Sequence, residues 1–545
     1  MNAPQPPTSK LPYLLILAVW LITRAYPGWM TEPWTYWEAG EAKKLLEYGF
    51  SARSGAIIDN FFMQGWLPEP WKFNYVNHPY PILWLDTLAY ALAGSWAVSL
   101  TSAALGLGAS LAVFPALKSR FSPSLSLLGA LLFTLAPSAI LFSFNPNTVQ
   151  LGAILWAPAI YLIGKRLEEK SASAPFWLGV TVFFAGQIAW FSLTILPALL
   201  IASIALTYER SSGFTAQPKN PLPFAILLGG SLTLGVFISQ IVFYSYNLAE
   251  TFAYARGQAG TEDGLTLSRM YPAIAIRGLL SVGPALLLGS LIGAICLLKK
   301  RSAHWIQWAS LIYPLLFLAA ALALPRFFFR ERTMYQYLLF PCTVLTISAL
   351  EFLQSRLARW AILSLATVSL AYPFFQSSIP SVSQTSRKLA TLMAELSKPS
   401  EVVVTNLARQ QPPFQPWDVG ATNMASILSD RMIRDNITSL PALQSLLKNY
   451  RTESLPIVFL YSPTRPIDPS LLSFLRSATT PISTPFEIPT EPPSIATQLR
   501  SLYWKATGKH QVSSTPTDPL TTPTLEVFQL TLSPIPSPKP ATLSP

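Results

Sequence analysis

Acidic side chains and a histidine lie between the first two apolar segments of the chain. Glu32, Glu38 and Glu41 fall within residues 30–50, and His78 opens a His-Pro-Tyr-Pro motif. Tryptophan, tyrosine and phenylalanine are interspersed among them, as is typical of segments at a membrane surface. A carboxylate that is held in place can act as a general base. The loop therefore indicates chemistry on a polar group that a lipid carries.

A second group of residues with chemical potential is basic and aromatic. Its members are Arg326, Arg330, Arg332, Tyr335 and Tyr337, within and just after the sequence RFFFRER. A guanidinium offers phosphate a planar fork of donors, which favours anion binding. Snorkelling of the arginines to lipid headgroups is the alternative explanation. Arg24, near the end of the first apolar segment, is open to the same two interpretations.

The elements that must position these residues are membrane helices. Of the 545 residues, 51% are hydrophobic and only 12% are charged. Soluble globular proteins carry roughly twice that charged fraction, so the composition predicts a polytopic membrane protein. Basic loops on the cytoplasmic side explain the net charge of +12 better than nucleic-acid binding does. Cys296 and Cys342 both fall in apolar runs and define no disulfide framework.

Apolar runs of about 20 residues, the length that spans a bilayer, recur along the first 376 residues. A long run from 175 to 206 predicts two short helices divided near Ser192, and the total is about eleven spans. The other candidates are 11–28, 96–116, 124–143, 147–164, 222–246, 273–298, 303–324, 333–353 and 357–375.

Loop charge decides the status of the short apolar segment 80–94. If this segment lies at the membrane interface and does not cross, the basic clusters fall on one side, which the positive-inside rule makes the cytoplasm. These clusters include 118–120, 165–170, 299–301 and 356–359. The outer segments are then the large loop 29–94, the turn Asn145–Asn147, the loop 247–270, the stretch 326–332 and everything after residue 375. The arginines of 326–332 violate the rule, and anion binding would explain why.

After residue 376 the chain becomes richer in proline, serine and threonine. Helical patterns at 385–398 and 440–451 alternate with strand patterns at 401–405, 455–461 and 525–532. This alternation predicts a small extracytoplasmic α/β domain over residues 377–532. The last residues, 533–545, have the composition of a disordered tail. The transmembrane domain accordingly occupies residues 1–376, with its N-terminus in the cytoplasm.

The first outer loop resembles that of the GT-C membrane glycosyltransferases of the protein-mannosyltransferase and aminoarabinose-transferase kind (glycosyltransferase families 39 and 83). Those enzymes carry an Asp-Glu-x-x-Tyr motif and a His-Pro-Pro-Leu-like motif. The matching stretches here are Glu32-Pro33-Trp34-Thr35-Tyr36-Trp37-Glu38 and His78-Pro79-Tyr80-Pro81. The resemblance implies a GT-C fold and sugar transfer from a polyprenyl phosphate. It also implies that Glu32 is the general base and that Tyr36 and His78 bind substrate.

Two departures from the family pattern bear on activity. Glu32 replaces the leading Asp of the motif and Pro33 its second acid, and the turn SFNPNT carries Asn145 and Asn147 where many relatives have an acid. From the residues alone, Glu32 is also explained as an acid at a helix start, because proline follows it. Glu38 and Glu41 are then alternative bases. His78, which the next proline biases to an extended backbone, either contacts the donor phosphate or is a turn residue.

The sequence thus predicts a membrane glycosyltransferase of the cytoplasmic membrane. Its donor would be a polyprenyl-phosphate-linked sugar, bound by the outer arginines, and its acceptor an extracytoplasmic protein, lipid or glycan. The outer loops contain no Asp-x-Asp pair, so no essential metal and no cofactor are expected. Two other classes stay open: a non-catalytic scaffold of the same fold, and a lipid or sugar transporter, which would require mid-membrane charges and internal repeats.

Overall fold

The structure is a computed structural model of the chain. It describes residues 10–25, 42, 80–144, 156–168, 171–210, 221–244, 256–257, 259, 266–300, 304–330, 332–373, 384–398, 401–407, 425, 429, 432–434, 436–448, 455–463, 465–479, 481–485 and 524–532.

These residues form two compact units. The first unit is helical, and its α-helices are Leu11–Arg24, Tyr80–Ala93, Ser95–Lys118, Pro123–Thr134, Pro137–Leu141, Trp156–Glu168, Ala174–Ile188, Leu196–Arg210, Leu222–Tyr244, Leu267–Val282, Pro284–Lys300, Trp305–Ala323, Pro325–Arg330, Leu339–Leu353 and Arg356–Ser369. Two 3₁₀ segments, Trp190–Ile195 and Arg332–Leu338, lie between them. The second unit contains the strands and the remaining helices.

Four helices in the described part of the chain are long and apolar enough to cross a membrane. They are Trp96–Lys118, Leu222–Ser239, Trp305–Ala323 and Met334–Leu353. A bent pair, Leu267–Val282 with Pro284–Lys299, makes a fifth if it counts as one span. The chain is therefore a multi-pass membrane protein. The count of eleven spans stays a prediction, since shorter apolar helices occupy several of the predicted positions.

Several predicted spans are interrupted in the structure. The run 273–298 consists of two helices at 100° to each other, not of one straight span. They meet at Gly283, whose φ of 91° is readily adopted only by glycine, and Pro284 then begins the second helix. The run 124–143 is divided just before Pro137, since proline cannot donate a helical hydrogen bond. The 3₁₀ segment Trp190–Ile195 confirms the predicted division near Ser192.

Small residues let the helices Pro284–Lys300 and Leu339–Leu353 approach each other closely. A methyl group on Gly293 would overlap the carbonyl oxygen of Leu345, and one on Gly289 would overlap Thr346. In lipid, such close packing supplies the van der Waals attraction that holds helices together. The contact fixes the helix that continues from the arginine-rich segment.

The second unit is built on a five-stranded mixed sheet in the order β2-β1-β3-β5-β4. The strands are β1 (Val402–Thr405), β2 (Met432–Arg434), β3 (Leu455–Tyr461), β4 (Ile482–Pro485) and β5 (Thr524–Leu532). β1 pairs in parallel with β2 and β3, whereas β5 pairs antiparallel with β3 and β4. The helices Gln384–Leu396, Leu440–Lys448 and Pro469–Ala478 accompany the sheet. All four residues of β1 are buried, as expected for a parallel strand covered on both faces.

Candidate functional site

Arg24, at the end of the first helix, is buried inside the helical unit, with 5% of its surface exposed. Its Nε donates to Ser143 Oγ (2.9 Å), and its Nη2 donates to the carbonyl of Ala139 (2.8 Å). Its Nη1 donates to Thr23 Oγ1 (2.7 Å) and to the carbonyl of Thr134 (2.9 Å). These bonds use four of the five N–H groups of the guanidinium. The prediction that Arg24 binds donor phosphate stays a prediction.

The acceptors of Arg24 surround the break between the helices Pro123–Thr134 and Pro137–Leu141. Carbonyl groups at the C-terminal end of a helix lack donors within the helix, so an arginine side chain can supply them. Arg24 therefore joins two points of the chain: the end of the first helix, which precedes the predicted first loop, and the segment 134–143, which precedes Asn145 in the sequence.

The same segment is tied to the arginine-rich part of the chain. Gln336 Nε2 donates to the carbonyl of Ser138 at 3.0 Å. Pro137 lies against the bend at Gly283, where a side chain would meet its ring at 3.0 Å. The segment 325–338, the segment 134–143 and the end of the first helix are thus neighbours, although they are far apart in sequence.

Arg277, on the helix Leu267–Val282, contacts the segment 325–338. It is 1% exposed, and its Nη1 donates to the carbonyl of Phe329. Its guanidinium carbon also lies 4.0 Å from the centre of the Phe329 ring, a cation–π contact. A buried charge in a membrane protein is costly and marks a functional position by default. In this chain the buried guanidinium binds the carbonyl of Phe329, the residue before Arg330.

Tyr335 and Tyr337 are both buried. Tyr335 Oη donates to the carbonyls of Ile274 (2.9 Å) and Phe328 (3.4 Å), so it ties the same segment to the helix of Arg277 a second time. The Tyr337 ring packs edge-on against Phe191 at 5.0 Å, and its hydroxyl has no partner among the described residues. Their predicted contact with substrate is not tested by these positions.

Arg326, Arg330 and Arg332 are brought to this same place by the backbone. Arg326 and Arg330 belong to the helix Pro325–Arg330, and Arg332 begins the 3₁₀ segment. Arg326 is half-buried, and its Nη1 lies 3.9 Å from where a side chain would begin at Gly257. The side chains of Arg330 and Arg332 fall outside the described part. Glu32, Tyr36 and His78 lie outside the described residues altogether, as do Glu38, Glu41, Asn145 and Asn147.

The opposite ends of these helices carry a different set of charges. Arg120 forms two hydrogen bonds of 3.0 Å to the carboxylate of Glu351. His304 precedes the helix Trp305–Ala323, and burial, with Arg120 nearby, lowers its pKa to about 4. The structure therefore separates the basic turns near 118–120 and 356–359 from the arginines of 326–332, at opposite helix ends.

Sequence reasoning did not single out Arg277 or Asp86. Arg277 is a lone charge inside the apolar run 273–298, which is the signal that could have identified it. Asp86 lies on the helix Tyr80–Ala93 and is only 2% exposed. No group of three or more histidine, cysteine or carboxylate side chains able to hold a metal ion occurs in the ranges that the structure describes.

Comparison with known proteins identifies the architecture. An oligosaccharyltransferase from Archaeoglobus fulgidus matches 82% of this chain and 69% of its own, with a TM-score of 0.53 and 14% identity. ArnT from Cupriavidus metallidurans, solved bound to undecaprenyl phosphate, matches 87% of this chain and 95% of its own, with a TM-score of 0.55 and 10% identity. The chain has the fold of the GT-C membrane glycosyltransferases. No protein-family model and no curated protein sequence matches it.

The fold gives the hydrogen-bonded framework a context. Within the GT-C fold, the framework joins three described segments: the end of the first helix, the segment 134–143 and the segment 325–338.

Proposed function

We propose that this protein is a membrane glycosyltransferase that transfers a sugar from a polyprenyl-phosphate donor to an acceptor outside the cytoplasm. One observation carries the proposal: within a GT-C fold, the arginine-rich segment 325–338 is fastened beside the two chain segments that lead into the first loop and the turn at Asn145. ArnT, which shares the fold, was solved with undecaprenyl phosphate, and this lipid phosphate is the donor class that we assign to this chain.

In the proposed reaction Glu32 takes the proton from the acceptor. The acceptor oxygen or nitrogen then attacks the anomeric carbon, and the bond from this carbon to the phosphate oxygen breaks. The electron pair of that bond leaves with the polyprenyl phosphate, so the configuration at the sugar inverts. Arg326, Arg330 and Arg332 stabilise the negative charge on the departing phosphate, which is the role that fixed cations fill in such reactions. Tyr36, His78, Tyr335 and Tyr337 complete the substrate site.

Location and organisation belong to the same proposal. The transmembrane domain spans residues 1–376, the N-terminus faces the cytoplasm, and residues 377–532 form an α/β domain outside the cytoplasmic membrane. The separation of Arg120, His304 and Glu351 from the 325–338 segment supports this orientation, since it places basic turns at one set of helix ends. The acceptor is a protein, a lipid or a cell-surface glycan.

The test is the transfer of radiolabelled sugar from polyprenyl-phosphate donors in membranes that contain the full chain. Glu32→Gln keeps the shape of the side chain and removes the base, so transfer should fall by about 10²–10⁴-fold. Glu38→Gln is the matched control and should retain wild-type transfer.

Three other outcomes would change the proposal. If Glu32→Gln transfers sugar as fast as the wild type, Glu32 is not the base, although the protein is still a transferase. Loss of transfer only in Glu38→Gln would move the base to that residue. Absence of transfer by the wild type from every donor would overturn the enzyme and favour the scaffold. Movement of unmodified lipid across vesicle membranes would instead identify a transporter.

A further inference from the structure

Arg277 has no part in the proposed transfer reaction, yet it is one of the most completely buried large side chains of the helical unit. Only 1% of its surface is exposed, and its neighbours on the helix, such as Ala273 and Ile274, are buried as well. Burying a guanidinium is unfavourable unless fixed acceptors compensate for the lost water. The acceptor that the structure describes for it therefore indicates a role for the charge.

The acceptor belongs to the arginine-rich segment. Nη1 donates to the carbonyl of Phe329, and the guanidinium faces the ring of the same residue. This carbonyl lies at the end of the short helix Pro325–Arg330, where main-chain oxygens lack helical donors. The Arg277 side chain thus donates to a carbonyl at the end of the helix and also contacts the Phe329 ring.

A second contact of the opposite polarity completes the attachment. Tyr335, which follows the short helix, donates back to the carbonyl of Ile274, one turn from Arg277. Gly278, next to Arg277, leaves room for the Tyr335 ring, since a methyl group there would lie 3.2 Å from Tyr335 Cε1. The segment 325–335 is therefore fastened to the helix Leu267–Val282 at two points.

We propose that Arg277 is a positioning residue, which holds the helix Pro325–Arg330 where Arg326 can bind the phosphate of a polyprenyl-phosphate donor. This inference rests on the proposed function. Arg277 itself does not touch the donor. The strength of phosphate binding by a guanidinium depends on the orientation of its planar fork of donors. A shift of the short helix would therefore weaken binding even though every arginine of 326–332 remained present.

The experiment measures the affinity of the full-length protein in lipid nanodiscs for undecaprenyl phosphate. Arg277→Met keeps an unbranched side chain and removes the N–H donors, so the short helix should shift and Arg326 should lose a hydrogen bond to the phosphate. Loss of one such charged hydrogen bond should raise the Kd about tenfold. Arg277→Lys can still donate to Phe329 and should recover most of the affinity. Arg269→Met removes an exposed cation from the same helix and should bind as the wild type does.

A double-mutant cycle separates positioning from direct binding. If Arg277 acts through the short helix, adding Arg277→Met to Arg326→Met should weaken binding by less than about twofold further. Fully additive losses would overturn the inference, because they would show that Arg277 contributes independently of Arg326. Phe329→Leu, which removes the ring contact and leaves the carbonyl, gives a second test if Arg277→Met does not fold, and unchanged affinity in it would also count against the inference.

The cycle also separates the two proposals. Absence of binding by the wild type would overturn the donor assignment and this inference together. Normal binding by the wild type and by both Arg277 variants would overturn this inference alone.

Discussion

Replacing Arg24 by methionine should destabilise the helical unit. Methionine matches the length of the aliphatic part of arginine and cannot donate. The carbonyl of Thr134 would lose its donor, at a cost of about 1–3 kcal/mol. Ala139 and Ser143 would lose their bonds to the guanidinium but keep a hydrogen bond of 2.6 Å to each other. Because both groups keep a partner, no further desolvation cost arises at Ala139 and Ser143. Each contributes only the loss of its bond to the guanidinium, about 1.5–3 kcal/mol.

An opposing effect limits the loss. The lost hydrogen bonds together cost about 4–9 kcal/mol. The variant no longer buries a charge, however, and the avoided desolvation offsets several kcal/mol of this cost. We therefore expect a net decrease in the free energy of unfolding of about 2–4 kcal/mol. Arg24→Lys keeps the charge without the planar fork, so its free energy of unfolding should lie between those of the wild type and Arg24→Met.

Unfolding by sodium dodecyl sulfate in mixed micelles, followed by tryptophan fluorescence, would measure the difference. Arg269→Met, which removes an exposed arginine, is the control for the change of charge. An Arg24→Met protein within about 0.5 kcal/mol of the wild type would refute the reasoning. If such a protein also lost affinity for undecaprenyl phosphate, the sequence-based assignment of Arg24 to the donor phosphate would be correct.

Two further predictions concern helix packing and pH. Gly293→Ala should destabilise the protein by about 1–3 kcal/mol, because the new methyl group would overlap the Leu345 carbonyl. Gly108→Ala is the control and should not destabilise it, since nothing lies within 4 Å of the new group. Equal effects of the two substitutions in thermal unfolding would contradict the described packing. Burial and Arg120 lower the pKa of His304 to about 4 from 6.5, so the unfolded chain takes up this proton first. Stability should therefore be complete above about pH 6.5 and fall toward pH 4, less steeply in His304→Gln; parallel pH profiles for the two proteins would exclude His304 as the cause.

The sequence predicted elements well where the hydrophobic pattern was simple. The strand patterns at 401–405, 455–461 and 525–532 are strands in the structure, and the helix expected over 303–324 spans Trp305–Ala323. The bend at Gly283 was not foreseen, because an uninterrupted apolar run does not show where a helix changes direction. Proline and glycine side by side at 283–284 were the available signal.

The candidate site was predictable in residue type and only partly in arrangement. The sequence marks Arg24 as an unusual charge, but its distant acceptors are two carbonyls and a serine hydroxyl beside a helix break about 110 residues away, and composition does not reveal those. Arg277 is visible in the sequence as the lone charge of the run 273–298, but its partner, the main chain of Phe329, is not. Long-range contacts to the backbone depend on the tertiary fold and leave no pattern in the local sequence.

That preference for backbone acceptors has a consequence for how the protein can evolve. Arg24, Arg277, Tyr335 and Gln336 all donate to main-chain oxygens, which every amino acid possesses. Where an acceptor contributes only its carbonyl, as Ile274 does to Tyr335, its side chain can therefore change while the donor is retained. Across diverged homologues these contacts would leave single invariant positions and no correlated pairs, so methods that infer contacts from covariation would overlook them. An architecture joined in this way can persist when little sequence identity is left.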